Sequence, residues 1–309
     1  MKRTILSLAL CAALLSLAGC GSSAPEKKRI AVVVKALDSE FWLAVKSGVD
    51  AAAKEHPDLE VSIMAPQREI DIDQQVSLIE DQLVRKVALL VVAPAGVAQV
   101  TPVLDRAKTL GVRTILVDTD APWPGKLAFV GTDNFQGGKM AGEFLVQQLK
   151  GKGRIAVIRG VPGVETHESR LAGFRAALAG AAGMQIVAEQ PANSERALAM
   201  TVMENILTSQ KDLDGVFATN DQMALGALEA IQARHASKMP IIVAFDAGKE
   251  VVSQIQNGRI AAAVAQLPYQ MGYQSVKAAA RFVAGESIPG RVDTGVKMVT
   301  RENAAEFLK

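Results

Sequence analysis

The chain has 309 residues, 21% of them charged and 4% aromatic, with a formal net charge of +2 at pH 7. No basic excess exists to neutralise phosphates, which argues against nucleic acid as a partner. Only Cys11 and Cys20 exist, which excludes a disulfide within the body of the chain, and His56, His167 and His235 lack metal-ligand spacing, so no metal is expected.

Lys2 and Arg3 precede an apolar run from Ile5 to Leu17, which reads as an export signal over residues 1–19. The run is shorter than the roughly 20 residues of a membrane-spanning helix. "LAGC", residues 17–20, resembles a bacterial lipobox, which implies lipidation at Cys20 and a polar tether over 20–27. Location in the periplasm or at the cell surface, held to the membrane by the lipid alone, is the expectation. Loss of Lys2 and Arg3 brings the formal charge to 0. The roughly 285 residues that follow suffice for two domains of about 100 to 200 residues each.

From Arg29 onward, short runs rich in Val, Ile and Ala alternate with amphipathic stretches of about 12 to 18 residues, the signature of βα units around a covered parallel sheet. Strands are predicted at 30–35, 60–65, 88–94, 113–118 and 127–132, then at 154–160, 184–190, 215–220, 240–246 and 260–266. The two series share one rhythm, so the fold class is α/β with two similar doubly wound parallel-sheet lobes. Between them, Ile72, Val76, Ile79 and Leu83 form one helical stripe and Met223, Ala227 and Ile231 another. "GGKMAGE" (137–143) lacks a dinucleotide-binding order and reads as close helix packing.

In open parallel sheets ligands bind beyond the carboxyl ends of the strands. Those positions hold Lys35, Asp118 with Asp120, Gln190, Asn220 with Asp221, Asp246 and Gln266. Any single Asp or Asn there is more often a helix cap than a ligand contact. The whole set, at the ends of apolar strands, suggests a polar small ligand. No nucleophile or phosphate-loop motif is present, so neither an enzyme nor a cofactor is implied.

The segments "FW" (41–42), "VDTD" (117–120), "FVGTDNFQGGKMAGE" (129–143), "ESRLAGF" (168–174), "ATNDQMALGALEAI" (218–231), "VAFD" (243–246) and "AQLPYQMG" (265–272) occur in this order. In them the chain resembles the bacterial periplasmic binding proteins of the ribose and galactose type, over about residues 29 to 300. The resemblance implies a monomer that captures a monosaccharide or polyol between two lobes and delivers it to the permease of an ABC importer. It implies lobes of 28–132 with 267–294 and of 133–266 with 295–309, hinged near Thr132, Gln266 and Gly295. Phe41 and Trp42 match aromatics that pack on the sugar ring. Asp118, Asp246, Arg170, Asn220 and Gln266 match its hydrogen-bonding groups. Four pocket positions depart from the ribose binders: Lys35 replaces a small hydroxyl residue, Ser39 an amide, Thr119 an arginine and Ser194 an aromatic. Lys35 leaves open an anionic or furanose-like signal as ligand, and a chemoreceptor-coupled sensor shares the same fold. Ser39 reads as a helix cap, Asp38 and Glu40 as solvated rim residues or partners of Lys35, Trp123 as a cleft lip or surface plug, and His167 as a solvated loop histidine sooner than one that reaches the cleft rim beside Arg170.

Overall fold

The computed structural model describes residues 27–234 and 239–308. The export signal, Cys20 and His235 lie outside the described residues. The first sheet is built from β1 (Lys28–Val33), β2 (Leu59–Met64), β3 (Leu89–Val92), β4 (Arg113–Val117) and β5 (Lys126–Gly131), linked by α1 (Glu40–Glu55), α2 (Ile72–Val84) and α3 (Val97–Thr109). The chain then enters a second unit of α4 (Asn134–Gln148), β6 (Lys152–Arg159), α5 (Glu165–Ala179), β7 (Gly183–Pro191), α6 (Arg196–Ser209), β8 (Gly215–Ala218), α7 (Asp221–Ala233), β9 (Ile241–Phe245), α8 (Lys249–Gln256) and β10 (Ala262–Ala265). It returns to the first unit through α9 (Pro268–Val283) and β11 (Arg291–Asp293), and ends in the second with β12 (Lys297–Thr300) and a 3₁₀ turn (Ala304–Phe307). All ten predicted strands form, none displaced by more than two residues.

The strand orders are β11-β5-β4-β3-β1-β2 and β12-β10-β9-β8-β6-β7, the second order tracing the first. Each sheet is sandwiched between helices, as continuous apolar strands require. In the first lobe α1 and α9 cover one face and α2 and α3 the other. In the second, α6, α7 and α8 oppose α4 and α5. One strand departs from the parallel expectation, because β12 runs antiparallel to β10. The chain leaves β11 at the carboxyl edge of the first sheet and crosses over within Thr294–Val296, turning at Gly295 with φ +78°. It therefore meets the second sheet from the same edge and must run backwards along it. Thr132, on the first crossing, hydrogen-bonds the Gly295 carbonyl at 3.3 Å and so ties two of the three crossings together.

The stripe on α2 is only partly as predicted. Ile79 and Leu83 are buried, but fully buried Gln75 takes the central place. Its amide donates to the carbonyls of Val34 (3.0 Å) and Ala93 (2.9 Å) and accepts from the Ala95 N–H (2.8 Å). Three backbone groups beyond β1 and β3 are satisfied by one side chain, which fixes the chain just before Lys35. Trp123 is a plug and not a lip: it is 4% exposed, sits in the α2/α3 core and donates its indole N–H to Asp105 at 2.7 Å. The glycines of "GGKMAGE" do mark close helix packing. A Cβ on Gly138 would lie 1.9 Å from the Arg170 carbonyl oxygen, and one on Gly173 1.9 Å from that of Phe135. This contact presses α4 against α5 and sets the height of Arg170.

Candidate functional site

The facing edges of the two sheets each carry an aspartate in a conformation that L-residues rarely adopt. Asp118 follows β4 at φ +60° and Asp246 follows β9 at φ +66°. Each donates its backbone N–H across to the next strand at 2.9 Å, to Val130 and Val264 respectively. Asp tolerates this left-handed region better than most residues, yet the conformation remains costly, and such positions gather at functional sites. The result points both carboxylates out of their strands and into the gap between the lobes.

On the first lobe, Lys35 Nζ lies 3.0 Å from Asp118 Oδ2, both side chains 3% exposed, and 5.6 Å from the centre of the Trp42 ring. The Thr119 hydroxyl donates to the same Asp118 oxygen at 2.7 Å. Trp42 packs into the core and meets Phe41 edge-on at 5.0 Å, which leaves Phe41 as the half-buried ring at the cleft. The Trp42 indole donates to Glu69 Oε1 at 3.0 Å. Burial raises the Glu69 carboxyl, but the Lys35 charge, His167 and the Trp42 N–H together hold it below the usual carboxylate range.

On the second lobe, Arg170 is 3% exposed. It donates to Asn134 Oδ1 and to the Thr219 carbonyl, each at 2.8 Å, stacks 3.8 Å above the Phe245 ring centre, and lies 3.7 Å from Asp246 Oδ2. Gln266 donates to the other Asp246 oxygen at 2.6 Å. Burial and the neighbouring Asp246 charge push the Asp221 carboxyl up to about 7. Burial raises Asp246 too, against the pull of Arg170 and Gln266. Asn220 caps α7 by accepting from the Met223 N–H at 2.9 Å, while its side chain also faces the cleft.

The lobes are closed on one another. Lys35 donates to Thr166 Oγ1 at 3.4 Å, Glu69 Oε2 lies 3.8 Å from His167 Nε2, and Glu40 Oε2 accepts from the Lys249 N–H at 2.5 Å, at the start of α8. An exposed pair, Arg68 and Glu195, spans the gap at 3.6 Å. The chamber left inside has a free volume of about 30 Å³. A second, more apolar groove of about 420 Å³ adjoins it, lined by Leu43, Ala44, Ala247 and Pro268 and sharing Phe41 and Asp246.

Of the predicted site residues, Lys35, Ser39, Phe41, Trp42, Asp118, Arg170, Asn220 and Asp246 line the chamber, and Gln266 lines the groove. Thr119 and Ser194 stand behind it: the first orients Asp118, and the second lies 3.2 Å from His167 Nε2. Ser39 holds the N-cap position of α1 but makes no capping hydrogen bond. Glu40 is no idle rim residue, since it caps a helix of the other lobe. Gln190 is exposed on edge strand β7, and Asp120 is bound to Lys126 outside the chamber. His167 is not solvated. It is 4% exposed within α5, its Nδ1 lies 2.9 Å from the Thr219 hydroxyl, and burial lowers its pKa despite the pull of Glu69. Three chamber residues, Glu69, Thr166 and His167, are absent from the strand ends where polar residues were sought.

A family model for the periplasmic binding protein domain matches residues 30–287. The chain belongs to the periplasmic binding protein family. As a periplasmic binding protein it is 32% identical to the ribose import binding protein of Haemophilus influenzae, covering 94% of this chain and 97% of that protein. It is also 32% identical to the D-ribose/D-allose-binding protein of Pseudomonas aeruginosa, over 95% of each. Among solved structures, a solute-binding protein from Bacillus halodurans with bound myo-inositol superposes with a TM-score of 0.86 at 26% identity, covering 93% of this chain and 99% of that one. A periplasmic solute-binding protein from Actinobacillus succinogenes with bound D-allose gives 0.83 at 28% identity, covering 91% and 100%. The matched relatives are binding proteins, two of them for ribose or allose.

Proposed function

We propose that this protein captures a monosaccharide or polyol between its lobes in the periplasm and delivers it to an ABC importer, tethered to the membrane by a lipid on Cys20. The observation that carries the reading is the convergence of Lys35, Phe41, Asp118, Arg170, Asn220 and Asp246 from two lobes on one chamber. Phe41 offers an apolar face to ring C–H groups, the carboxylates accept from hydroxyls, and Arg170 and Asn220 donate to ring and hydroxyl oxygens. The lobes, 28–132 with 267–294 and 133–266 with 295–309, pivot about Thr132, Gln266 and Gly295. A ligand that touches both lobes favours the closed form by that difference in contacts, and the closed form is what the permease reads. An anionic ligand fits less well, because Lys35 is already matched by Asp118 and Arg170 lies beside Asp246.

The test is a thermal-shift screen of the mature protein over neutral pentoses, hexoses, polyols and sugar acids, since a ligand that binds only the native state raises the melting temperature. A shift from a sugar or polyol that survives high salt supports the reading. A screen in which no sugar or polyol shifts the melt, or in which only sugar acids do, overturns it.

A further inference from the structure

The ionised groups lining the chamber do not balance. Glu69, Asp118, Asp221 and Asp246 face only Lys35 and Arg170. Lys35 is matched to Asp118 at 3.0 Å and Arg170 lies beside Asp246 at 3.7 Å. Burial raises both Asp221 and Asp246, so the carboxylate that stays ionised with no Lys or Arg of its own at ion-pair distance is Glu69, although the Lys35 charge still reaches it. His167 helps to hold Glu69 ionised, but burial lowers its own pKa and its Nε2 stands 3.8 Å away, so it offers a weak partner and not a full counter-charge.

Unused hydrogen-bonding capacity has the same sign. Two buried side-chain atoms at the cleft have no partner, Glu69 Oε2 and Gln266 Oε1, and both are acceptors. Gln266 is 6% exposed, and its amide N–H is spent on Asp246, which leaves its oxygen as the free end. Each basic side chain of the chamber, in contrast, already donates: Lys35 to Thr166, and Arg170 to Asn134 and Thr219. The cleft asks for donors and for one positive charge. A neutral sugar supplies donors only, and an anionic one supplies neither the charge nor a free cation to meet it. A buried carboxylate that shares its nearest cation with another carboxylate gains most from a positive charge brought by the ligand, which makes that charge the larger demand.

Resting on the capture reading above, we infer that the ligand is an amine-bearing carbohydrate, an amino sugar or amino polyol whose ammonium group pairs with Glu69 while its hydroxyls meet Asp118, Asp246 and Gln266. Trp42 then serves a second purpose. Its N–H pins Glu69 Oε1, so that Oε2 is the oxygen presented to the ammonium, and its ring, already beside Lys35, gives the cation an aromatic neighbour.

The experiment is calorimetric titration at pH 6.5, where an amine is protonated. The probes are glucosamine, galactosamine, mannosamine and amino-deoxy cyclitols, each matched with its parent polyol, its neutral N-acetyl form and, for the hexoses, the uronic acid. The expected result is one amine bound at least about tenfold more tightly than its parent and its N-acetyl form, the scale of a single charge-assisted hydrogen bond. Glu69→Gln, which keeps an oxygen for the Trp42 N–H, should erase that preference, bringing the amine's affinity to that of its parent in the same variant. A parent sugar or uronic acid that binds as tightly as its amine overturns the inference and leaves the capture reading standing. A panel in which nothing binds, while a neutral sugar outside it shifts the melt in the screen above, also overturns the inference and leaves the capture reading standing. Preference for the amine that persists in Glu69→Gln overturns the assignment to Glu69.

Discussion

Asp118 and Asp246 occupy the same place in two similar sheets, with the same left-handed backbone and the same cross-strand hydrogen bond. Their surroundings differ. Asp118 is closed off by an ion pair and a hydroxyl from its own lobe, whereas Asp246 belongs to an open network with Arg170, Gln266 and Asp221. The first lobe therefore carries a carboxylate whose charge is answered before any ligand arrives. The second carries an arginine held by Asn134 and a backbone carbonyl, independent of its aspartate. Both aspartates line the chamber, but the first is charge-matched in advance and the second sits in a network that can adjust.

The sharpest way to break the comparison is to remove each aspartate. Asp118→Asn should destabilise the protein by about 3–5 kcal/mol, because it strands a buried ammonium. The double variant Lys35→Met with Asp118→Leu should recover most of that, read as urea midpoints in a double-mutant cycle. Asp246→Asn should cost less stability, since Arg170 keeps two other partners. Equal losses at the two positions would remove the distinction between them.

Next in size is the helix contact beneath the second lobe's site. Both lobes press a glycine pair together, Gly48 with Gly272 between α1 and α9, and Gly138 with Gly173 between α4 and α5. Only in the second pair does the opposing carbonyl belong to a chamber residue, Arg170. Gly138→Ala should cost about 1–3 kcal/mol and also weaken ligand binding, with melting and titration as the two readouts.

A further difference is protonation. The raised Asp221 carboxyl keeps a proton in the folded state up to about pH 7 that the unfolded chain releases near pH 4. This group's contribution to stability is therefore complete at acid pH and is lost as pH rises toward and through 7. Asp221→Asn should melt above the wild type at pH 8, by on the order of 1–3 kcal/mol, with the gap closing by pH 4. A gap that does not change with pH would contradict the assignment. The smallest effect should come from Arg68→Ala, which removes an exposed cross-lobe pair and should leave stability and affinity unchanged within error.

Much of the architecture was legible because βα units write themselves as apolar runs with a polar residue at each exit. Lys35, Asp118, Asn220 and Asp246 were found in this way. Glu69, Thr166 and His167 were not, for a physical reason: they lie on a loop and on the first turn of a helix, and they become chamber residues only where the lobes meet. Nothing along a single lobe marks that meeting. Gln75 was hidden for the opposite reason. A polar residue inside an apolar stripe reads as an interruption until the strand ends that need its amide are in place. Phe41 and Trp42 both line the chamber, but adjacency alone could not say that Trp42 is the more deeply buried, with its ring packed in the core and its N–H on Glu69.

The central claim, that one ligand is held by both lobes at once, is tested most directly by titrating the carbohydrate that emerges from the screen into wild type, Phe41→Ala and Arg170→Met. The first variant alters only the first lobe's wall and the second only the second lobe's donor. Loss of at least about tenfold in affinity in both variants is the predicted result. Wild-type affinity in either one, with its fold intact by circular dichroism, would contradict a site shared between the lobes.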